Sequence, residues 1–97
     1  MKILAIEKDS GYTADDLYEP HLKAEATRVW ELYHAGTIRE LYFRADREEA
    51  ILVLECADER EATQALNTLP LVKAGLIGFD VIPLVAYPGF ERLFESA

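Results

Sequence analysis

The stretch that decides the fold is PHLKAEATRVWELYHAGTIRELYFR, residues 20–44, because it contains a helix, its stop signal and the strand that follows. Pro20 suits the first helical position, where its missing N–H is not needed, and Gly36 suits the position just past the end, where φ > 0 is common. Apolar side chains recur between them at helical spacing. The predicted buried face carries Leu22, Ala26, Val29, Tyr33 and Gly36, flanked by Trp30 and Leu32.

A carboxylate, Glu25, lies on the edge of that apolar face, and His21, Arg28 and Leu32 continue the ridge beside it. Apolar neighbours would desolvate the carboxylate and raise its pKa, which can make it a proton carrier near neutral pH. The alternative is a rim residue that pairs with Arg28. The spacing of His21 and Glu25 likewise fits either a proton-transfer pair or a surface contact one turn apart.

Residues 37–44 alternate as a strand, and two arginines fall on opposite faces of it. One face is predicted to carry Thr37, Arg39, Leu41 and Phe43, and the other Ile38, Glu40, Tyr42 and Arg44. Only one arginine can then point at a pocket under the helices, and alternation does not decide which. Such an arginine would bind a substrate carboxylate through two hydrogen bonds; the alternative is an ion pair with Glu40, Glu55 or Asp80.

Three more strands and a second helix are predicted in the rest of the chain. Residues 2–8 and 49–57 are apolar on both faces and so belong in the middle of a sheet, whereas Pro83 indicates an edge position for the strand at residues 76–87. Thr13 with Asp16, and Asp58 with Glu61, have the spacing of capping boxes. The second box opens a helix that runs to about Thr68, with a packing stripe of Ala62, Ala65, Leu66 and Leu69; residues 71–75 are predicted to be a connection.

The order β-α-β-β-α-β predicts an α+β, ferredoxin-like fold in a single domain, residues 1–97. Its antiparallel sheet would have the order 4-1-3-2, with two helices on one face. The other apolar face needs cover, which predicts that two sheets pack into a dimeric α+β barrel. Phe90, Leu93 and Phe94 form a hydrophobic tail that we expect to dock on a neighbouring subunit.

Composition limits the class of protein and its partners. A net charge of −8 over 97 residues disfavours nucleic acid and anionic membranes. No apolar run is long enough to span a bilayer, and the first residues lack the features of a secretory signal. Cys56, the one cysteine, lies in an apolar strand and is predicted to be a buried thiol. We therefore expect a cytoplasmic protein.

No motif for a metal or a cofactor is present. His21 and His34 are thirteen positions apart, and His21 with Glu25 offers only two ligands from one helix. Neither GxSxG nor GxGxxG occurs. We therefore expect neither a metal nor a cofactor. Trp30, Tyr33 and Tyr42 are candidates for lining a pocket for a small ring-shaped ligand, with packing in the core as the alternative.

Three segments together resemble the muconolactone isomerase family of small dimeric α+β barrel proteins. They are Leu22-Lys23-Ala24-Glu25, the run GTIRELYFR at residues 36–44, and Leu69-Pro70-Leu71. The resemblance implies a cofactor-independent isomerase that moves a proton in a small lactone or carboxylate. Glu25 would be the base, because the family has a carboxylate at the corresponding place, and His21 would assist it. Arg39 or Arg44 would then hold the anionic end of the substrate, and Trp30 with Tyr33 would shape an apolar wall.

Two other functions are compatible with the same fold, because the wider barrel superfamily contains several kinds of protein. One is a non-catalytic module for small-ligand binding or assembly, in which Glu25 and Arg28 merely pair. The other is a cofactor-free oxygenase that acts on an activated aromatic compound. Under all three functions, the expected partners are a second copy of the chain and a small molecule.

Overall fold

The computed structural model describes residues 1–9 and 15–95. The strands are β1 (Lys2–Asp9), β2 (Ile38–Phe43), β3 (Ala50–Glu55) and β4 (Ile77–Pro83), and the helices are α1 (Leu22–His34), α2 (Glu59–Leu66) and α3 (Pro70–Lys73). Single 3-10 turns at Asp15–Leu17 and Glu19–His21 precede α1, and a longer 3-10 segment covers Gly89–Phe94. The predicted capping box of Thr13 and Asp16 involves a residue outside the described part of the chain.

The four strands form one antiparallel sheet in the order β2-β3-β1-β4. This is the predicted order 4-1-3-2 read from the opposite edge, so the ferredoxin-like α+β fold is confirmed. The two strands predicted to be central, β1 and β3, each have a neighbour on both sides. Their apolar composition on both faces is explained by that position.

The core lies between the helices and one face of the sheet. It is built from Ile3, Ala5, Leu32, Ile38, Leu52, Leu54, Cys56, Ala62, Leu66 and Leu69. The predicted stripe of α2 is therefore confirmed, and so is the buried thiol of Cys56. The start of α2 is also as predicted, since the Asp58 side chain accepts a hydrogen bond from the Glu61 backbone N–H at 2.8 Å.

The opposite face of the sheet, here called the open face, is apolar at its centre. The strand register places Leu4, Ile6, Ile51, Val53 and Ile82 there, beside Glu40 and Tyr42. These five apolar side chains remain partly or largely exposed. The open face is thus the second apolar face that the sequence predicts for the central strands.

A β-bulge at Arg39 changes the faces of β2. Ile38 is opposite Leu54 and Glu40 is opposite Val53, so Arg39 is an extra residue in the ladder. Strict alternation predicts that Ile38 faces away from Leu41, and this is wrong: the bulge puts both on the helix-covered face. A single inserted residue reverses every assignment on one side of it, because the side-chain period of a strand is two.

The buried face of α1 also differs from the prediction. Leu32 is buried and His21, Glu25, Arg28 and Val29 are half-buried, whereas Leu22, Ala26 and Tyr33 are exposed. The cause is the packing of α1 against α3 as well as against β2. The predicted connection at residues 71–75 is in fact largely this short helix, with Pro70 in its first turn.

The segment after β4, residues 84–95, is here called the C-terminal arm. The predicted strand stops at Pro83, and the arm exposes Val85, Tyr87, Phe90, Leu93 and Phe94, the last at 84%. The radius of gyration is 16.3 Å, against about 12.5 Å for a compact domain of this length. The apolar side chains of the arm are therefore largely uncovered in a single subunit. No helix among the described residues is long and apolar enough to cross a membrane.

Candidate active site

Glu25 lies in the first turn of α1 and binds the start of α3. Its Oε1 accepts a hydrogen bond from the backbone N–H of Leu71 at 2.9 Å. Pro70, the first residue of α3, has no N–H, so Leu71 presents the first donor of that helix. Within the described residues, Oε2 of Glu25 makes no hydrogen bond. One carboxylate oxygen is thus anchored and the other is left for a ligand.

Burial raises the pKa of the Glu25 carboxyl above its ordinary value of 4.5. The hydrogen bond from Leu71 and the charge of His21 act in the opposite direction, but burial is the larger effect. His21 lies immediately before α1, one turn from Glu25, and is half-buried. The structure therefore brings the predicted base and its predicted assistant together.

The alternative ion pair between Glu25 and Arg28 is not formed. Arg28 donates instead from Nε to Thr68 Oγ1 at 2.9 Å, and its NH1 pairs with Glu31 at 3.2 Å. Both contacts turn the guanidinium away from the carboxylate. The Glu25 carboxylate is consequently not paired with Arg28.

Arg39 is at the other end of α1 from Glu25. Its Nε donates to the carbonyl oxygen of Gly36 at 2.6 Å, where a cation suits the carboxyl end of the helix. Gly36 lies eleven residues after Glu25, which corresponds to about 16 Å along a helix axis. Within one subunit, Arg39 and Glu25 do not share a site.

Arg44 and Tyr42 are bonded to residues other than Glu25. Arg44 makes two hydrogen bonds to Asp46, at 2.9 and 2.7 Å, in the connection between β2 and β3. Tyr42 is on the open face, where its hydroxyl donates to Glu40 at 2.8 Å. The ion pairs proposed as alternatives for the arginines are absent among the described residues: Glu55 pairs with the Met1 ammonium and Asp80 with Lys8.

Trp30 and Tyr33 lie on the exposed side of α1. Trp30 is 63% exposed, and its ring stacks on His34 at a centroid distance of 5.9 Å and tilts against Tyr33 at 6.3 Å. Together with the exposed Leu22 and Ala26, these two aromatic residues form an apolar strip beside Glu25 around the helix. In a single subunit this strip is surface rather than the wall of an enclosed pocket.

The contacts that sequence reasoning missed are those between α1 and the segment leading into α3. The element Leu69-Pro70-Leu71 contained a signal, because a proline at the first position of a helix leaves the next N–H as its first donor. Nothing in the sequence indicated that Glu25 would accept from it. Among the described residues, no group of three His, Cys, Asp or Glu side chains is placed to hold a metal ion.

The structure defines a small α+β protein with a ferredoxin-like sheet and a half-buried carboxylate in its first helix. The family model described as muconolactone delta-isomerase matches residues 5–89. The chain belongs to the muconolactone delta-isomerase family, which confirms the resemblance seen in the sequence.

Two solved structures share the fold. A crystal structure of muconolactone isomerase superposes with a TM-score of 0.72 at 21% identity, covering 91% of this chain and 92% of that one. The 5-chloro-2-hydroxyhydroquinone dehydrochlorinase of Burkholderia phenoliruptrix AC1100, in complex with 2,5-dihydroxybenzoquinone, gives a TM-score of 0.68 at 17% identity, covering 92% of this chain and 98% of that one. No curated protein matches the sequence significantly. At these identities the likeness concerns the fold alone.

Proposed function

We propose that the protein is a cofactor-independent isomerase that moves a proton in a small lactone or carboxylate. The observation that carries the proposal is Glu25, a half-buried carboxylate whose pKa is raised and whose Oε2 is unbonded within the described residues. Membership of the muconolactone delta-isomerase family supports the reaction class. We also assign the protein to the cytoplasm, because its one cysteine is a buried, free thiol.

In this reaction Oε2 of Glu25 removes a proton from the carbon next to a carbonyl group. The C–H electron pair moves into an enolate, and the same proton or one from water returns at another carbon, so that no oxidant or reductant is consumed. His21 assists by keeping the ionised form of Glu25 accessible. Arg39 or Arg44 remains our proposal for the anionic end of the substrate; within one subunit they bond Gly36 and Asp46 instead of Glu25, and we propose that a second subunit supplies the arginine. Trp30 and Tyr33 would contribute the apolar side, with Tyr42 reaching a ligand only across the open face.

Solvent deuterium incorporation tests the reaction class directly. The protein is incubated in D₂O with a panel of small unsaturated lactones and carboxylates, and ¹H NMR follows the carbon next to the carbonyl. We expect deuterium at that carbon together with a shifted double bond. Ligand binding without any exchange would favour the binding module instead, and oxygen uptake with a phenolic compound would favour the oxygenase.

The pH dependence of folding gives a prediction that needs no substrate. Because the Glu25 pKa is raised in the folded protein, the native state holds this proton more tightly than the unfolded chain does. The contribution of the Glu25 carboxyl to folding stability therefore falls as the pH rises from its pKa in the unfolded chain through its higher pKa in the folded protein. Urea unfolding of the wild type and of Glu25→Gln should show that the variant gains stability relative to the wild type across this window. A constant difference between the two proteins at all pH values would contradict the raised pKa.

Self-association is part of the proposal, as a homodimer or a higher homo-oligomer in which two open faces pack and each C-terminal arm docks on a neighbouring subunit. Support comes from the apolar centre of the open face and from the exposed aromatic side chains of the arm. Aromatic side chains of this kind bury about 150–250 Å² each on docking, so three of them supply a large part of the roughly 800 Å² per partner of a standard interface.

Deletion of the arm tests its role. In sedimentation, a chain that stops after Leu84 should form particles with fewer subunits than the full chain does at the same concentration. Glu91→Gln, an exposed polar change inside the arm, is the matched control and should leave the mass unchanged. An unchanged number of subunits per particle after the deletion would contradict docking of the arm but not packing of the open faces.

A further inference from the structure

Two side chains of α1 hold the segment that joins α2 to α3. Glu25 accepts from the Leu71 N–H at 2.9 Å, and one turn later Arg28 donates from Nε to Thr68 Oγ1 at 2.9 Å. Residues 25 and 28 are three positions apart on α1, and they contact residues 71 and 68, which are three positions apart on the segment. The segment lies across α1 at two points rather than one.

The Thr68 hydroxyl takes part in two hydrogen bonds in this arrangement. It donates its one proton to the carbonyl oxygen of Ala65 at 2.6 Å and accepts a hydrogen bond from Arg28. Arg28 is itself oriented by Glu31. Between the two contacts, Leu69 is buried in the core. These interactions leave Thr68 and the following turn little freedom to move relative to α1.

The position of the Leu71 N–H therefore depends on residues that do not touch Glu25. If the segment moved outward, Glu25 would lose its only hydrogen bond within the described residues, and Oε2 would lose its fixed direction. We propose that Thr68 and Arg28 are positioning residues, which hold the Leu71 N–H against Oε1 of Glu25 and so aim Oε2 at the substrate. The claim that Oε2 points at a substrate rests on the proposed function. The claim that Thr68 and Arg28 hold the Leu71 N–H against Glu25 does not.

A titration of Glu25 reports on the hydrogen bond from the Leu71 N–H without any substrate. An N–H bond to a carboxylate favours its ionised form, so weakening the bond while the carboxylate stays buried should raise the Glu25 pKa further. The charged groups of the elements packed around Glu25 are His21, Arg28 and Glu31 on or next to α1, and the exposed Lys73 on α3. On β2, Arg39 is bonded to Gly36 and Glu40 to Tyr42. Thr68→Val changes none of these charges and keeps the β-branched shape.

The experiment is an NMR titration of ¹³C-carboxyl-labelled glutamate, with the Glu25 signal assigned by its absence in Glu25→Gln. In Thr68→Val the midpoint should rise by roughly 0.5–1 pH unit, as expected for a weakened hydrogen bond of ordinary strength. In the wild type the Leu71 amide proton should titrate with the same midpoint, and this dependence should shrink in the variant. Thr68→Ser, which keeps the hydroxyl, should restore the wild-type curve, and Thr63→Val, an exposed change on α2, should leave it unaltered.

A Glu25 midpoint that is the same in Thr68→Val and in the wild type would overturn the proposal. If Thr68→Val does not fold, Arg28→Lys provides the second variant, because it keeps the charge but loses the fork geometry that donates to Thr68; its midpoint should also rise. With an active substrate, both variants should lower kcat several-fold with little change in KM. A raised midpoint without any turnover in the wild type would keep the positioning role and reject the isomerase function.

Discussion

Glu25→Gln is expected to lower the rate of proton transfer by roughly 10²–10⁴-fold, the usual contribution of a positioned general base. Glutamine can still accept the hydrogen bond from Leu71 through its carbonyl oxygen, so the start of α3 stays anchored. What is lost is the basic oxygen that is free to receive the substrate proton. The measurement is the rate of deuterium incorporation into the best substrate of the lactone panel, compared at a pH where the wild-type carboxyl is ionised.

The control is Glu19→Gln, which removes an exposed carboxylate from the turn before α1. Its rate should match that of the wild type. Full turnover by Glu25→Gln would mean that another group is the base, and would leave Glu25 with the single role of capping α3. A loss confined to KM would instead assign Glu25 to substrate binding.

Leu54→Ala is expected to lower the free energy of unfolding by about 2–5 kcal/mol, the range for a large-to-small change in a packed core. Leu54 is 1% exposed and lies in β3, opposite Ile3 on one side and Ile38 on the other. Three strands therefore lose contacts at one point. Because a small domain is stable by only about 5–15 kcal/mol, this variant should unfold at a much lower urea concentration.

Leu41→Ala in the neighbouring strand is the matched control, because the same atoms are removed from a side chain that is 43% exposed. Its loss should be about 1 kcal/mol or less. Both variants are compared at one protein concentration, since the stability of an oligomer depends on concentration. Equal losses in the two variants would contradict the assignment of Leu54 to the core and Leu41 to its margin.

The arrangement of Glu25 and the two arginines bears on where substrate binds. Within one subunit, Arg39 bonds the end of α1 and Arg44 bonds Asp46, and neither guanidinium is bonded to the proposed base. Under the proposed function, a complete site with an anion-binding arginine therefore requires a second subunit that brings Arg39 or Arg44 to Glu25. This requirement ties the proposed chemistry to self-association more closely than the fold alone does.

The sequence by itself determined the order of the four strands, α1 and α2, and also the sheet order, but it missed α3. Apolar runs on both faces mark central strands, Pro83 marks an edge, and Gly36 ends α1 with a φ of +85°. The same patterns identified the packing stripe of α2 and the buried Cys56. These features are readable because each depends on residues close together in the chain, whose backbone geometry and burial follow from local spacing.

Tertiary structure alone decided which face of α1 is buried, how β2 alternates and what Glu25 bonds to. The bulge at Arg39 places Ile38 and Leu41 on the same face of β2. Glu25 bonds the start of α3 and Arg28 bonds Thr68 just before it, while Leu22 and Tyr33 stay exposed. No periodicity encodes these outcomes. The partners of Glu25 and Arg28 are 40 or more residues away in the sequence, and the faces of β2 depend on one extra residue in the ladder. Local pattern determined the elements of this protein, and long-range contacts determined the environment of its candidate base.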